Sequence, residues 1–128
     1  MRLLLDTHIL LWSLADSPRL SANARALLAD TGNECWVSAA SLWEIAIKVM
    51  LGKYRLPFAL AELEGAVDQS GYRVLDVSAR HALAIERIHM PHADPFDRLL
   101  LAQCETETLR LLSADRLLKT SPAVVTVD

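Results

Sequence analysis

Two acidic residues at the start of a predicted helix are the first feature of this sequence that could do chemistry. Asp94 and Asp97 stand three residues apart, with Pro95 between them and an apolar run behind them up to Gln103. Asp94 suits the N-cap, and Pro95 suits the first helical position, where no N–H is needed. Asp97 then falls in the first turn, near the positive end of the helix dipole. The pair can serve only as a helix cap, or Asp97 can face a cleft and ligate a metal ion.

Three further acidic residues stand at the ends of predicted segments. Asp6 follows the first predicted strand, and Glu44 lies in the first turns of the helix after the second strand. Two residues separate Asp115 from the end of the fourth strand. In open parallel sheets, ligands bind beyond the carboxyl ends of the strands. We therefore expect Asp6, Glu44, Asp97 and Asp115 to converge at one edge of such a sheet.

Four carboxylates in one place repel one another and raise each other's pKa, so the arrangement predicts a bound cation. Ligation by oxygen alone favours Mg²⁺ or Mn²⁺, which can activate water and stabilise the charge on a phosphodiester under attack. Each acid also has a local interpretation. Asp6 and Asp115 can be turn residues, whereas Glu44 can complete a capping box with Ser41 and pair with Lys48 at i,i+4.

Several other polar side chains could assist such a site. Arg98, Arg116 and Lys48 could contact the phosphates of RNA, or they can be solvated surface charges. His8, two residues after Asp6, could act as a general acid or base, or it can pack at the rim of the site. The tryptophans and both cysteines are predicted to be core residues: Trp12, Trp36, Trp43, Cys35 and Cys104.

Apolar runs alternating with helical patterns predict an α/β domain with a parallel sheet, in which the whole chain, 1–128, is one domain. The pattern indicates four to five strands flanked by helices. The third helix begins at Ser38 or Ser41 and ends at Gly52. The predicted strands are 2–5, 35–37, 72–75, 109–112 and 124–127, and the other helices are 9–15, 22–30, 58–69, 78–89 and the one that follows Asp94.

Composition excludes several classes of protein. The 128 residues are 52% hydrophobic, which predicts a folded core. No apolar run approaches the length of a membrane span, and Asp6 and His8 interrupt the first run too early for a signal peptide, so we expect a cytoplasmic protein with no membrane partner. The net charge is −3, but without the four candidate site acids twelve acidic residues stand against thirteen basic ones. A cation-filled acidic site would therefore not repel a polyanion.

Taken together, four segments of the chain resemble the PIN domain family, and within it the VapC-type toxins of toxin–antitoxin modules. They are Leu3-Leu4-Leu5-Asp6-Thr7-His8, Ser41-Leu42-Trp43-Glu44-Ile45, Asp94-Pro95-Phe96-Asp97-Arg98 and Leu112-Ser113-Ala114-Asp115. The resemblance implies a three-layer α/β sandwich with a central parallel sheet and an acidic Mg²⁺ or Mn²⁺ pocket. It also implies endoribonuclease activity, a homodimer and a cognate antitoxin that blocks the site.

Carried over by position, the resemblance makes Asp6, Glu44 and Asp97 the core metal-binding acids and Asp115 the fourth. Thr7 and Ser113 match hydroxyl residues that support the site. Ser113 stands where threonine is common in the family, and Ala114 where asparagine is often found.

The leading hypothesis is therefore metal-dependent hydrolysis of RNA, in which water attacks the phosphorus in line. One alternative is a catalytically weak protein of this fold that acts mainly through a protein partner, since the apolar segments 9–15 and 42–51 would suit protein contacts. A metal-dependent phosphatase with an aspartyl nucleophile is less favoured, because that chemistry needs a second Asp two positions after Asp6, where this chain has His8.

Overall fold

A five-stranded parallel sheet forms the centre of the computed structural model, which describes residues 1–90, 94–119 and 121–127. The strands lie in the order β3-β2-β1-β4-β5. β2 and β3 therefore extend the sheet on one side of β1, and β4 and β5 extend it on the other side. The strands are β1 (Arg2–Leu5), β2 (Glu34–Ser38), β3 (Arg73–Leu75), β4 (Arg110–Ser113) and β5 (Val124–Thr126).

Six α-helices among the described residues cover the two faces of this sheet, which gives the predicted three-layer sandwich. Short 3-10 turns stand at Leu60–Glu62, Ile85–Arg87 and Arg116–Leu118. The helices are α1 (Thr7–Leu14), α2 (Ala22–Ala29), α3 (Ala39–Met50), α4 (Leu63–Gln69), α5 (Ala79–Ala84) and α6 (Pro95–Glu107).

The central strand β1 contributes side chains to both hydrophobic layers, because successive side chains of a strand point to opposite faces of the sheet. Leu3 and Leu5 belong to the layer formed with α1 to α4, whereas Leu4 belongs to the layer formed with α6. All three leucines are fully buried, as expected for a strand covered on both faces. The continuous apolar run of β1 thus reflects its place in the middle of the sheet.

Local capping signals position the helix starts. The Asp94 side chain accepts a hydrogen bond from the Asp97 backbone N–H at 2.8 Å, and Pro95 is the first residue of α6, as predicted. Of the two residues proposed to cap α3, Ser38 does so, by accepting from the Ala40 N–H at 3.0 Å. Pro91 and His92, which lead towards α6 in the sequence, lie outside the described residues.

Two predicted helices are shorter in the structure. The prediction for 58–69 is wrong at its start, because Ala59 is extended (φ −68°, ψ 144°) and the half-buried Phe58 packs on the larger core layer. The prediction for 78–89 is wrong at its end, because α5 stops at Ala84 and the chain is extended again at Ile88, which packs on the other layer. The other strand and helix boundaries agree within about two residues.

The prediction that all three tryptophans are core residues is wrong for Trp43, which lies on the outer face of α3 and is 63% exposed. Its ring packs against Phe96 of α6, with the ring centroids 5.8 Å apart. Trp12 and Trp36 are half-buried, whereas Cys35 and Cys104 are buried free thiols, as predicted. No helix in the part of the chain that the structure describes has both the length and the apolar character that crossing a membrane would require.

Candidate active site

A cavity of about 360 Å³ opens at the carboxyl edge of the sheet, beside the ends of β1 and β4. This is the point where the strand order reverses, and in open parallel sheets ligands bind at such a point. α6 joins its wall because it returns the chain from this edge towards the start of β4. The acidic residues in the wall come from the ends of β1 and β4 and from the starts of α3 and α6: Asp6, Glu44, Asp94, Asp97 and Asp115.

Asp6 is held at the end of β1 by a hydroxyl at the end of the neighbouring strand. Ser113 Oγ donates a hydrogen bond to Asp6 Oδ2 at 2.7 Å, and the Asp6 backbone N–H donates to the Leu112 carbonyl at 3.0 Å. Asp6 is buried, and burial raises the pKa of its carboxyl, while the hydrogen bond from Ser113 opposes that rise. Ser113 therefore orients a buried carboxylate and, together with the backbone N–H of Thr7, offsets part of the cost of its burial.

Glu44 is held from two sides. Thr7 Oγ1 donates to Glu44 Oε1 at 2.8 Å and lies 3.0 Å from Ser41 Oγ, which joins α1 to α3. Lys48 Nζ lies 2.8 Å from Glu44 Oε2 and donates to it, so the i,i+4 pair predicted from the sequence is present. Both carboxylate oxygens of Glu44 thus already have a partner.

Asp97 is the most strongly perturbed acid of the site. Burial, followed by repulsion from the carboxylates of Asp94, Asp6, Asp115 and Glu44, raises the pKa of its carboxyl to about 7. No hydrogen bond to the Asp97 carboxylate comes from the residues that the structure describes. A raised pKa from burial and like charges is typical of a functional carboxylate whose counter-charge comes from a ligand.

Asp115 and Asp94 also cap local elements of structure. Asp115 Oδ1 accepts from the Leu117 N–H at 2.9 Å and so caps the short turn Arg116–Leu118, while its own N–H donates to Ser113 Oγ at 3.0 Å. Asp94 caps α6. The turn interpretation of Asp115 and the cap interpretation of Asp94 are therefore both borne out, although both residues also line the cavity.

The carboxylates in the wall of this cavity offer oxygen ligands, which are the ligands that a hard divalent cation such as Mg²⁺ or Mn²⁺ prefers. Among the described residues, no three Asp, Glu, His or Cys side chains are already grouped closely enough to hold one ion. Burial and the four neighbouring carboxylates together raise the pKa of Asp97, so these acidic groups interact electrostatically within the cavity.

The three basic residues proposed as RNA contacts stand in different places. Lys48 lines the cavity, but its ammonium group is bonded to Glu44 and lies 3.3 Å from the Tyr54 hydroxyl. Arg98 is half-buried on α6 and donates to the Ile88 carbonyl at 3.4 Å, and Arg116 is exposed. Neither arginine is among the described residues that line the cavity.

Sequence reasoning assigned no role at the site to Trp12 or Arg19, and it left His8 open between the site and its rim. All three line the cavity. His8 and Trp12 are four residues apart on α1, so the helical repeat places them on the same side of this helix. That spacing was the available signal, whereas the position of Arg19, beyond the end of α1, depends on the fold.

A larger cavity of about 660 Å³ lies near the other end of α6, where Leu101, Cys104 and Leu109 form part of its wall. Its lining is mainly apolar and it contains none of the predicted site residues. The smaller cavity is therefore the candidate active site, because its lining is acidic whereas that of the larger cavity is mainly apolar.

Comparison with known protein families matches the PIN domain over residues 3–121. The chain belongs to the PIN domain family. A search of curated proteins finds no match to this PIN domain in sequence. Family membership makes a nuclease the general expectation for the acidic cavity of this PIN domain.

Several solved structures share the fold. VapBC2 from Rickettsia felis, bound to a DNA fragment from its promoter, has 18% sequence identity and a TM-score of 0.68, over 99% of this chain and 98% of the other. A toxin–antitoxin complex from Klebsiella pneumoniae has 20% identity and a TM-score of 0.64, over 96% and 95%. FitAcB from Neisseria gonorrhoeae has 19% identity and a TM-score of 0.64, over 98% and 96%. At these identities the likeness establishes the fold of this PIN domain.

Proposed function

We propose that this PIN domain is a Mg²⁺- or Mn²⁺-dependent endoribonuclease and the toxin component of a type II toxin–antitoxin system. The observation that carries the proposal is the cavity itself, which is lined by carboxylates from four separate segments of the chain at the topological switch point. Crowded carboxylates destabilise the metal-free fold, so a cation is the simplest reason for this arrangement.

Asp6, Asp97 and Asp115 would hold the ion directly, and Glu44 would do so through water, because both of its oxygens are already bonded to Thr7 and Lys48. When bound, a divalent cation supplies positive charge that lowers the pKa of water and stabilises the phosphodiester under attack.

The residues of the chain orient the carboxylates and limit their repulsion. Ser113 fixes the Asp6 carboxylate, and Thr7 fixes that of Glu44. Lys48 neutralises Glu44 and so lowers the net negative charge that an approaching phosphate would meet. The sparsely bonded Asp97 carboxylate is the acid most free to change its contacts when a ligand enters.

The toxin assignment is supported by the matched structures, two of which are described as complexes: the Klebsiella toxin–antitoxin complex and VapBC2 on promoter DNA. We propose a cognate antitoxin as partner. A homodimer and a cytoplasmic location remain predictions.

A role in partner binding, the second candidate function, is favoured by the outer face of α3. Trp43 and Met50 are 63% and 81% exposed there, and Leu51, which follows the helix, is 64% exposed. Large apolar side chains exposed together are typical of a protein-binding surface. This role can accompany catalysis, and replacing Met50 and Leu51 by serine should weaken partner binding while leaving RNA cleavage unchanged.

Cleavage of total RNA tests the proposed function. The wild-type protein should cleave RNA with Mn²⁺ and stop when a chelator is added, and Asp97→Asn should lower the rate by about a hundredfold or more. Glu64→Gln is a matched control, because Glu64 is also an acid in the first turn of a helix but lies away from the cavity. Circular dichroism must show that each variant is folded. Equal cleavage by wild type and folded Asp97→Asn would refute the assignment of Asp97, and chelator-resistant cleavage would refute metal dependence.

A further inference from the structure

Beside the acidic wall of the cavity, aromatic and basic side chains form a continuous row. The guanidinium of Arg19 lies 5.3 Å from the centre of the Trp12 ring, and the Trp12 and His8 ring centroids are 5.8 Å apart. His8 and Tyr54 are 6.1 Å apart, and the Lys48 ammonium lies 5.1 Å from the Tyr54 ring centre. Three aromatic rings therefore stand between two positive charges, and we call this row the aromatic shelf.

The aromatic shelf is continuous with the candidate active site. His8, Trp12, Arg19 and Lys48 line the same cavity as the carboxylates, and His8 follows Asp6 by only two residues. A ligand whose reacting group lies against the carboxylates would therefore have its neighbouring groups on the shelf.

Burial of the core accounts for only part of this arrangement. Trp12 and Tyr54 are half-buried and pack on the larger core layer, but His8 and Arg19 are exposed. The Trp12 indole N–H makes no hydrogen bond with the described residues, and Arg19 forms no ion pair with any of them. The shelf thus presents aromatic ring surface and the positive charge of Arg19 to the cavity.

These groups match the chemistry of an unpaired nucleotide. Proteins bind single-stranded RNA by stacking splayed bases on aromatic rings and on arginine, while basic groups contact the phosphates. A base inside a duplex has both faces covered by its neighbours and could not stack in this way. The positive charge of Arg19 at one end of the shelf is also complementary to a phosphate and opposite in sign to the carboxylate wall.

We propose that the aromatic shelf binds an unpaired base next to the scissile phosphate, with Trp12 and His8 stacking on the base and Arg19 contacting a flanking phosphate. This inference rests on the proposed ribonuclease function and adds the side chains that would hold the base next to the bond that is cleaved. Trp12 is the specificity-determining residue of the shelf.

Tryptophan fluorescence tests stacking without cleavage. The chain has three tryptophans, so an Asp97→Asn protein that also carries Trp36→Phe and Trp43→Phe retains Trp12 alone. A ten-nucleotide unstructured RNA should quench this fluorescence, whereas the same ribose–phosphate chain without bases, and a blunt RNA duplex, should leave it nearly unchanged. Binding of the RNA, followed independently by anisotropy, without quenching would overturn the proposal. Equal quenching by the chain without bases would also do so, since it would show phosphate binding only.

Kinetics of the metal-loaded enzyme give the second test. Trp12→Leu should raise KM for single-stranded RNA about tenfold and change kcat by less than about threefold, since stacking binds the substrate without touching the reacting atoms. Trp12→Phe, which keeps a ring, should restore most of the affinity. Arg19→Gln should raise KM and lower the slope of log affinity against log salt concentration by about 1.

Trp36→Leu is the matched control, because Trp36 is half-buried like Trp12 but is not among the described residues lining the cavity. It should leave KM unchanged. A wild-type KM in folded Trp12→Leu, while wild type cleaves RNA, would refute the aromatic shelf and leave the proposed function standing. A wild-type protein that neither binds nor cleaves RNA would instead refute the proposed function.

Discussion

Replacing Asp97 by asparagine should stabilise the metal-free protein at neutral pH while it destroys activity. The pKa of Asp97 is raised from 3.8 to about 7, so the folded protein holds a proton that the unfolded chain releases between these two values. The stabilisation of the folded protein that comes from keeping Asp97 protonated is therefore fully present below about pH 4. It is lost as the pH rises through about 7. The neutral amide of Asp97→Asn has no proton to lose in this range, so the variant would lack this dependence.

The size of the effect follows from the same shift. About three pH units at 1.36 kcal/mol each set an upper limit of about 4 kcal/mol. Asp97 is only partly buried, and water screens its interactions, so we expect about 1–2 kcal/mol between pH 5 and pH 8. The dipole of α6 favours a negative charge at this position by about 0.3–1 kcal/mol, which is too little to reverse the sign.

Urea unfolding in EDTA at pH 5 and pH 8 measures this difference. Wild type should lose about 1–2 kcal/mol more than Asp97→Asn over this range, whereas Glu64→Gln should follow wild type. Adding Mn²⁺ at pH 8 should reverse the order, because only wild type gains the full free energy of ion binding. Identical pH dependence of wild type and Asp97→Asn without metal would show that the crowding of carboxylates has no energetic consequence, and the reasoning would fail.

Three further outcomes are expected. Mn²⁺ should raise the melting temperature of wild type more than that of Asp6→Ala, and equal rises in a thermal scan would contradict a shared site. Ser113→Ala should cost about 1–3 kcal/mol in urea unfolding, because it leaves a buried carboxylate of Asp6 without its 2.7 Å hydrogen bond, and Ser113→Thr should restore most of that stability. Leu4→Ala should cost about 2–5 kcal/mol, since Leu4 is fully buried at the centre of the sheet; a loss below about 1 kcal/mol would contradict its place in the core.

The pattern of apolar and acidic residues was enough to predict the layers of the fold and the segments that line the candidate site. The apolar run at residues 2–5 predicts a strand that is buried on both faces. Asp94 and Pro95 predict the start of α6, because helix capping depends on neighbouring residues in the sequence. Placing Asp6, Glu44, Asp97 and Asp115 at one edge needed only the rule that parallel strands end together.

Tertiary structure decided which side chains meet. Thr7 bonds Glu44 across 37 positions and Ser113 bonds Asp6 across 107. Such pairs depend on strand order and register, which no local pattern records. The same holds for Trp43, which looked like core but lies outside, and for Trp12, which borders the cavity. An aromatic residue on an apolar helix can face either way, and only the packing of neighbouring helices selects one.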